Sequence, residues 1–278
     1  MSANSKPKTS KIKHWLKGTA EEFAGAGIPT ALLDAEIILA HTMRRSRTWL
    51  HAHDDDELDP RIEDIANARA LLRLDRTPIA YIIGHKEFYG RRFGVTPSVL
   101  IPRPESEAMI TLLKQHLPSG ATSLIDAGTG SGCLGITAKL ELPQLVVVLA
   151  DISRHALKVA ETNAEALGAP VSIIKSDLLT AAPGPYDAVI ANLPYVDESW
   201  ERSPETSHEP KLALFADDGG LKLIYRLIEQ LPGILTPGGI ALLEADPEQH
   251  PAIIANAKAT GLVHIATDGY ALALHLVD

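Results

Sequence analysis

From Gly120 onward the chain repeats one pattern: a short apolar or β-branched run, a stretch with helical spacing, then another run. The runs fall at 123–127, 145–151, 171–176, 187–191, 240–245, 262–267 and 270–277. Strands this apolar, separated by helices, predict a parallel, doubly wound sheet covered on both faces. Only Asp268-Gly269 separates the last two runs, a hairpin signal, so the final strand is expected antiparallel to its neighbour. Residues 11–76 read differently. Apolar residues recur at three and four in Ala31, Leu32, Ala35, Ile38, Leu39 and in Ile62, Ile65, Ala68, Leu72, predicting a small helical bundle. Thr30 is a candidate N-cap there and Pro60 a first-turn proline. Between 77 and 104 the texture turns aromatic and glycine-rich, and 85–95 reads as two short strands turning at Gly90. Ile101-Pro102-Arg103-Pro104 excludes helix interior, so a helix is expected from near Glu105. The predicted organisation is a helical domain over 1–76, a hairpin linker over 77–104 and an α/β domain over 105–278.

With 278 residues, 45 % of them apolar, the chain is long enough for a full core divided between two domains. A net charge of −9 argues against a protein built to grip phosphate backbones, so no direct nucleic-acid contact is expected. Residues 1–20 carry Lys6, Lys8, Lys11, Lys13 and Lys17 without an acid, a basic patch able to touch an anionic partner; a solvated tail leading into a first helix is the favoured reading. Those residues have no apolar signal region, and the aliphatic run over 145–150 is far too short to span a bilayer, so a cytoplasmic, membrane-free monomer is expected. The single cysteine, Cys133, excludes an internal disulfide framework and reads as a small buried residue. His51 and His53 followed by Asp54, Asp55 and Asp56 have ligand-like side chains, but the favoured reading is a solvated acidic helix end, and no metal site is predicted.

The run at 123–127 ends in Asp126-Ala127 and passes through Gly128-Thr129-Gly130-Ser131-Gly132 into a helix beginning near Cys133. Alternating glycines let backbone approach a ligand closely, and the free N–H groups of a helix start favour a carboxylate or phosphate. Gly130, Gly132 and Gly135 also satisfy the dinucleotide fingerprint, so an NAD-dependent oxidoreductase is a rival reading. The acids discriminate. Asp126 suits the ammonium of a methionine moiety, directly or through water, and Asp151 ends the second strand, where a carboxylate can accept both ribose hydroxyls. Asp177, just past the third strand, is placed for an adenine edge. Three acids at successive strand ends favour S-adenosylmethionine as cofactor, and no hydride-transfer site accompanies the fingerprint.

The fourth strand runs into Asn192-Leu193-Pro194-Tyr195 at the sheet edge where ligands of such folds bind. An amide or exocyclic amine nitrogen is a poor nucleophile because its lone pair is delocalised. A site must hold its hydrogens with acceptors and aim the lone pair at the methyl carbon. Asn192 offers a side-chain carbonyl and Leu193 a main-chain carbonyl. Pro194 biases Leu193 toward an extended conformation, and Tyr195 offers an apolar face to a planar group.

These residues resemble the HemK/PrmC family of release factor glutamine N5-methyltransferases. Besides the glycine loop, residues 33–41, Arg76 to Gly84, Glu87-Phe88-Tyr89-Gly90 and Leu100 to Glu105 are similar to that family's helical domain and linker. The resemblance implies a class I methyltransferase sheet, Rossmann-like, with a small N-terminal helical domain and a hairpin linker. It implies that Gly128, Gly130, Gly132, Asp151 and Asn192 lie at adenosylmethionine. It further implies that residues 192–195 hold the glutamine of a Gly-Gly-Gln loop in a class I peptide-chain release factor, and that Glu209-Pro210 with 212–221 forms an acceptor-side loop. Three departures stand out: Leu193 where the family has proline, Ser106 where threonine is more usual after Glu105, and no basic residue in Tyr270-Ala271-Leu272-Ala273. The rival substrates and roles are the exocyclic nitrogen of adenine in nucleic acid, which requires a flipped base, and an idle adenosylmethionine-binding module.

Overall fold

The computed structural model describes residues 10–277, which form two compact units. The first holds the described residues up to Gly84 together with Pro204–His208. Its helices are α1 (Ile12–Gly25), α2 (Ala31–Met43), α3 (Arg47–Ala52), α4 (Pro60–Leu74) and the short α5 (Ile79–Ile83). Trp15, Leu16 and Phe23 of α1, Ile38 and Leu39 of α2 and Ala66 and Ala70 of α4 share one apolar core. Ser46 caps α3 by accepting from the Trp49 N–H, and Asp59 caps α4 ahead of Pro60. Thr30 occupies the N-cap position of α2, but its hydroxyl donates to Asp34 rather than capping the helix. The buried Asp34 accepts from Arg73, whose guanidinium also reaches Glu205, tying Pro204–His208 to this unit. Lys11 and Lys13 both pair with Asp55, while Lys6 and Lys8 lie outside the described residues. His53 stacks on Trp49 and His51 contacts Glu36.

The second unit opens with the hairpin β1 (His85–Phe88) and β2 (Arg91–Gly94). Tyr89 and Gly90 turn it with φ of 50° and 70°, the left-handed pair that matches the twist of a two-residue hairpin. After α6 (Glu107–His116) come β3 (Ser123–Ala127), α7 (Cys133–Glu141), β4 (Val146–Asp151), α8 (Arg154–Leu167), β5 (Ser172–Lys175) and β6 (Tyr186–Ala191). The chain ends with α9 (Lys222–Gln230), β7 (Leu235–Glu244), α10 (His250–Ala259), β8 (Leu262–Asp268) and β9 (Ala271–Leu276). Among the described residues these strands make a seven-stranded sheet of order β5-β4-β3-β6-β7-β9-β8. All neighbours are parallel except β9, antiparallel to both β7 and β8. β7 starts earlier than the apolar run at 240–245 suggested. Pro237-Gly238-Gly239 interrupts the pattern, and the β6–β7 register shifts between Tyr186 and Ala188.

Strand alternation sorts the core into two faces. Ile125, Ala127, Val148, Ala150, Val189 and Ala191 pack with α9 and α10, whereas Leu124, Leu149, Ile190 and Leu242 pack with α6, α7 and α8. The chain builds outward from β3 through β4 to β5, then returns to place β6 on the other side of β3. That reversal opens a crevice at the carboxyl ends of β3 and β6, the position at which open α/β sheets bind ligands.

Candidate active site

Asp126, near the end of β3, has the parity of Leu124 and therefore turns toward α7 rather than into the crevice. Its Oδ2 accepts from the Thr129 hydroxyl at 2.6 Å and from the Gly135 N–H at 2.8 Å, while Oδ1 is buried with no hydrogen-bond partner. The carboxylate thus ties the glycine loop to the first turn of α7. Burial lifts its pKa from the ordinary 3.8 to about 6, with the Asp151 charge adding to the rise and the hydrogen bonds from Thr129 and Gly135 opposing it. A raised folded-state pKa means that the folded chain binds this proton more tightly than the unfolded one. Stability is therefore lost as pH climbs from 3.8 through about 6. In Asp126→Asn this loss is absent. Relative to wild type, the apo variant should gain on the order of 2 kcal/mol of unfolding free energy between pH 4 and pH 7. Denaturant titrations of both proteins at the two pH values check it, and an equal pH response in both would refute it.

The loop itself is drawn onto β4, with Gly128 and Thr129 N–H groups both donating to the Ala150 carbonyl at 2.9 Å. Gly132, at φ 82°, caps α7, and a Cβ there would stand 2.7 Å from Ile136 and 3.2 Å from Ala160. At Gly130, φ 55°, a Cβ would have the Gly128 carbonyl oxygen 4.0 Å away, an ordinary contact. The same loop is held from α8 by the buried Asn163, which donates to the Ser131 carbonyl and pairs with both main-chain groups of Gly94. Asp151 ends β4 with each oxygen anchored, Oδ2 by the Gly130 N–H at 2.9 Å and Oδ1 by the Ser153 N–H at 2.8 Å. Burial raises its pKa against the pull of those N–H groups.

Above the loop lies a cavity of about 300 Å³, within the range of small-molecule sites. Gly128, Gly130, Asp151, Asp177, Asn192, Leu193 and Pro194 line it. Asp126, Thr129, Ser131, Gly132 and Tyr195 do not, and act on it from behind through the contacts described. Asp177 pairs with Arg226 of α9 at 2.9 Å across the rim. Leu178, buried at the cavity, has φ 51°. A branched aliphatic residue there costs about 1–2 kcal/mol of local strain, of a kind that collects at ligand sites. Ile152 is about half exposed beside Asp151, an apolar platform on the wall. Glu209 joins two further wall segments, its Oε2 accepting from the Ile101 N–H and Oε1 from Arg103.

Asn192 continues β6 and donates through Nδ2 to the Ser106 hydroxyl at 3.1 Å, at the start of α6. The Leu193 side chain is buried toward the glycine loop, with Cδ2 standing 2.8 Å from where a Cβ on Gly128 would lie. Tyr195 turns its ring toward the core of the sheet, and its hydroxyl donates to Glu244 Oε1 at 3.2 Å. Burial, with the Glu244 charge, raises the phenol pKa. Burial likewise raises the Glu244 carboxyl, against hydrogen bonds from Ser106, Tyr195 and Asn192. The Tyr195 carbonyl is clamped by Gln249 Nε2, which also donates to the Gly219 carbonyl. Cys133, expected to be buried, is half-buried at the first position of α7, and its thiol is pushed up to about 12 by desolvation.

A PrmC N-terminal domain model matches residues 14–84, and a methyltransferase small domain model matches residues 106–209. The chain is 36 % identical over 252 residues to the release factor glutamine methyltransferase of Bordetella pertussis, covering 88 % of this chain and 93 % of that one. The chain belongs to the release factor glutamine methyltransferase family. The Deinococcus radiodurans member of this family is 32 % identical over 254 residues, covering 90 % of this chain and 91 % of the other. A Pyrococcus furiosus methyltransferase structure superposes with TM-score 0.53 at 19 % identity, over 76 % of this chain and 98 % of that one. A T. thermophilus 16S rRNA methyltransferase in complex with AdoMet and guanosine superposes with TM-score 0.50 at 17 % identity, over 70 % and 50 % of the two chains. Both share the class I methyltransferase fold. The cavity fits the family's methyl donor, adenosylmethionine. Asp151 presents a carboxylate held in place by backbone N–H groups, Ile152, Leu178 and Leu193 are apolar wall residues, and Gly130 carries no side chain to fill the space above the loop, a lining that could hold a ribose, a planar base and a methionine moiety.

Several residues of this site escaped the motif reading. Glu244 had a legible signal, a single acid closing an apolar strand run, the same signal that singled out Asp126 and Asp151. Ser106 was visible only as a departure from the family pattern. Its hydroxyl makes the Asn192 contact that a threonine hydroxyl could equally make. Gln249, Arg226, Ile152 and Leu178 lie outside the motifs and reach the site through tertiary packing.

Proposed function

We propose that this chain methylates the side-chain nitrogen, N5, of the glutamine in the Gly-Gly-Gln loop of a class I peptide-chain release factor, with Asn192 to Tyr195 as the acceptor-holding element. The observation that carries this reading is the Asn192 amide. Its nitrogen is turned away to Ser106, and the residue stands on the cavity wall beside the glycine loop. The Asn192 carbonyl is then left to accept one hydrogen of the incoming amide, and the Leu193 carbonyl accepts the other. Holding both hydrogens fixes the plane of the amide and points the nitrogen along one direction, a positioning contribution worth several orders of magnitude in rate. The main-chain contact is independent of side-chain identity, so Leu193 can supply it where relatives carry proline.

Asp151, the Gly128–Gly132 loop and Asp177 would hold adenosylmethionine, with Asp126 and Thr129 bracing the loop from beneath. When bound, this cofactor supplies an electrophilic methyl group on a sulfonium cation. The chain's residues would orient the nucleophile, and the proton of the methylated amide nitrogen leaves to solvent without a side-chain base. The wall residues with ionisable groups, Asp151, Asp177 and Arg226, are each engaged by backbone N–H groups or by one another. Ser98 to Leu100 and, in the loop after Glu209, Pro210, Leu212 and Ala213 line the cavity and would present the acceptor side. Among the described residues no helix is long and apolar enough to cross a membrane.

The test is transfer of labelled methyl from adenosylmethionine to a purified class I release factor, run beside the same factor carrying Gln→Ala in its Gly-Gly-Gln loop. Label on the first and none on the second is expected. Equal label on both would move the acceptor to another side chain.

A further inference from the structure

Glu244 is the last residue of β7 and is 2 % exposed, yet neither the cofactor motif nor the acceptor tetrapeptide includes it. In the β6–β7 ladder Ala191 pairs with Leu243, so Glu244 stands beside Asn192 one step further along the same edge. Three polar side chains converge on it. Tyr195 donates to Oε1 at 3.2 Å, and the Ser106 hydroxyl and Asn192 amide nitrogen, 3.1 Å from each other, both face the carboxyl. Its other oxygen, Oε2, is buried without a hydrogen-bond partner. A buried acid in this state costs free energy that an apolar residue would not, so the fold keeps it at a net cost to stability.

An asparagine side chain has two nearly isosteric ends, and only the carbonyl end can accept a hydrogen from an amide substrate. A carboxylate accepts only, so it faces the NH2 end and repels the carbonyl end. We propose that Glu244 is a positioning residue for methyl transfer: with Ser106 and Tyr195 it locks the Asn192 amide with its nitrogen inward, leaving the carbonyl oxygen for the acceptor. The proposal rests on the reading of Asn192 as the amide-holding residue and adds the device that sets its orientation. Tyr195 takes a second part in it, as the donor that fixes the carboxyl.

Glu244→Gln preserves shape while adding a donor that can pair with the flipped amide. The expected result is a fall in kcat of about 10- to 100-fold with KM for the release factor nearly unchanged. Because Glu244 acts through Asn192, the substitution should cost little further in an Asn192→Ala background. An unchanged kcat, or full additivity in the double variant, would overturn the proposal. A second readout needs no substrate: in 15N-labelled apo protein, the side-chain NH2 signal missing from Asn192→Ala should shift markedly in Glu244→Gln. An unmoved signal counts against the lock. A wild type that folds, shows the shift, but leaves the release factor unlabelled would sink the substrate assignment alone.

Discussion

Asn192→Ala is expected to lower kcat for release-factor methylation by about 10²- to 10³-fold, the scale seen when one preorganised polar contact is removed from an enzyme site. The variant should fold normally. The Asn192 side chain gives up its hydrogen bond to Ser106 and its contact with the Glu244 carboxyl, but it stands on the cavity wall, where water can take its place beside the buried Ser106. Adenosylmethionine affinity, measured by calorimetry, should change less than tenfold, because Asp151, Asp177 and the apolar walls remain. The split between kcat and cofactor affinity is the discriminating quantity. Loss of both together would mean that Asn192 serves mainly the cofactor, and the acceptor-holding role would pass to main-chain groups alone. Retention of kcat would remove the reading of residues 192–195 as the amide clamp.

How far the sequence reached is best judged at particular residues. The sheet was legible because its inner strands β3, β4, β6 and β7 carry long apolar runs, as strands buried on both faces must, whereas the edge strands β5 and β8 are more polar and more exposed. The last hairpin was legible from Asp268-Gly269, although its turn falls one residue later, at Gly269 and Tyr270, because Asp268 still pairs with Ala271 as the end of β8. Asp151 and Asn192 were legible as polar residues ending apolar strands, a placement with little packing rationale. Asp126 bore the same signal, but its strand parity sends it to α7, where it braces the loop from behind. Sequence position alone does not say which helix will stand over that face. Tyr195 was read as a face for the acceptor, whereas its ring packs on the sheet core and its hydroxyl finds Glu244. The partner that decides this lies 49 residues away in the chain. Gln249 and Gly220 are the extreme case, since neither residue type carries chemistry and both matter only through what they touch.

Gly220→Ala is expected to be the most damaging single-methyl change near the site. A Cβ on Gly220 would lie 1.9 Å from the Tyr195 carbonyl oxygen and 2.6 Å from Gln249 Nε2, and the residue sits at φ 85°. The obstacle is backbone, so no rotamer change relieves it, and the loop must move off the Asn192 to Tyr195 segment that Gln249 clamps. Displacing that segment by about 1 Å is enough to cost on the order of 10²-fold in kcat. Overpacking and left-handed strain together should lower stability by about 2–4 kcal/mol. Gly219→Ala is the matched control. Its φ of 62° incurs similar strain, but a Cβ there meets nothing within 4 Å. The control should lose about 1–2 kcal/mol of stability and keep most of its activity. If the two variants prove equally impaired, backbone strain rather than contact with Tyr195 governs this loop. If Gly220→Ala alone fails in methyl transfer while both fold, the loop before α9 supports the acceptor site at a distance, through one carbonyl and the glutamine that holds it.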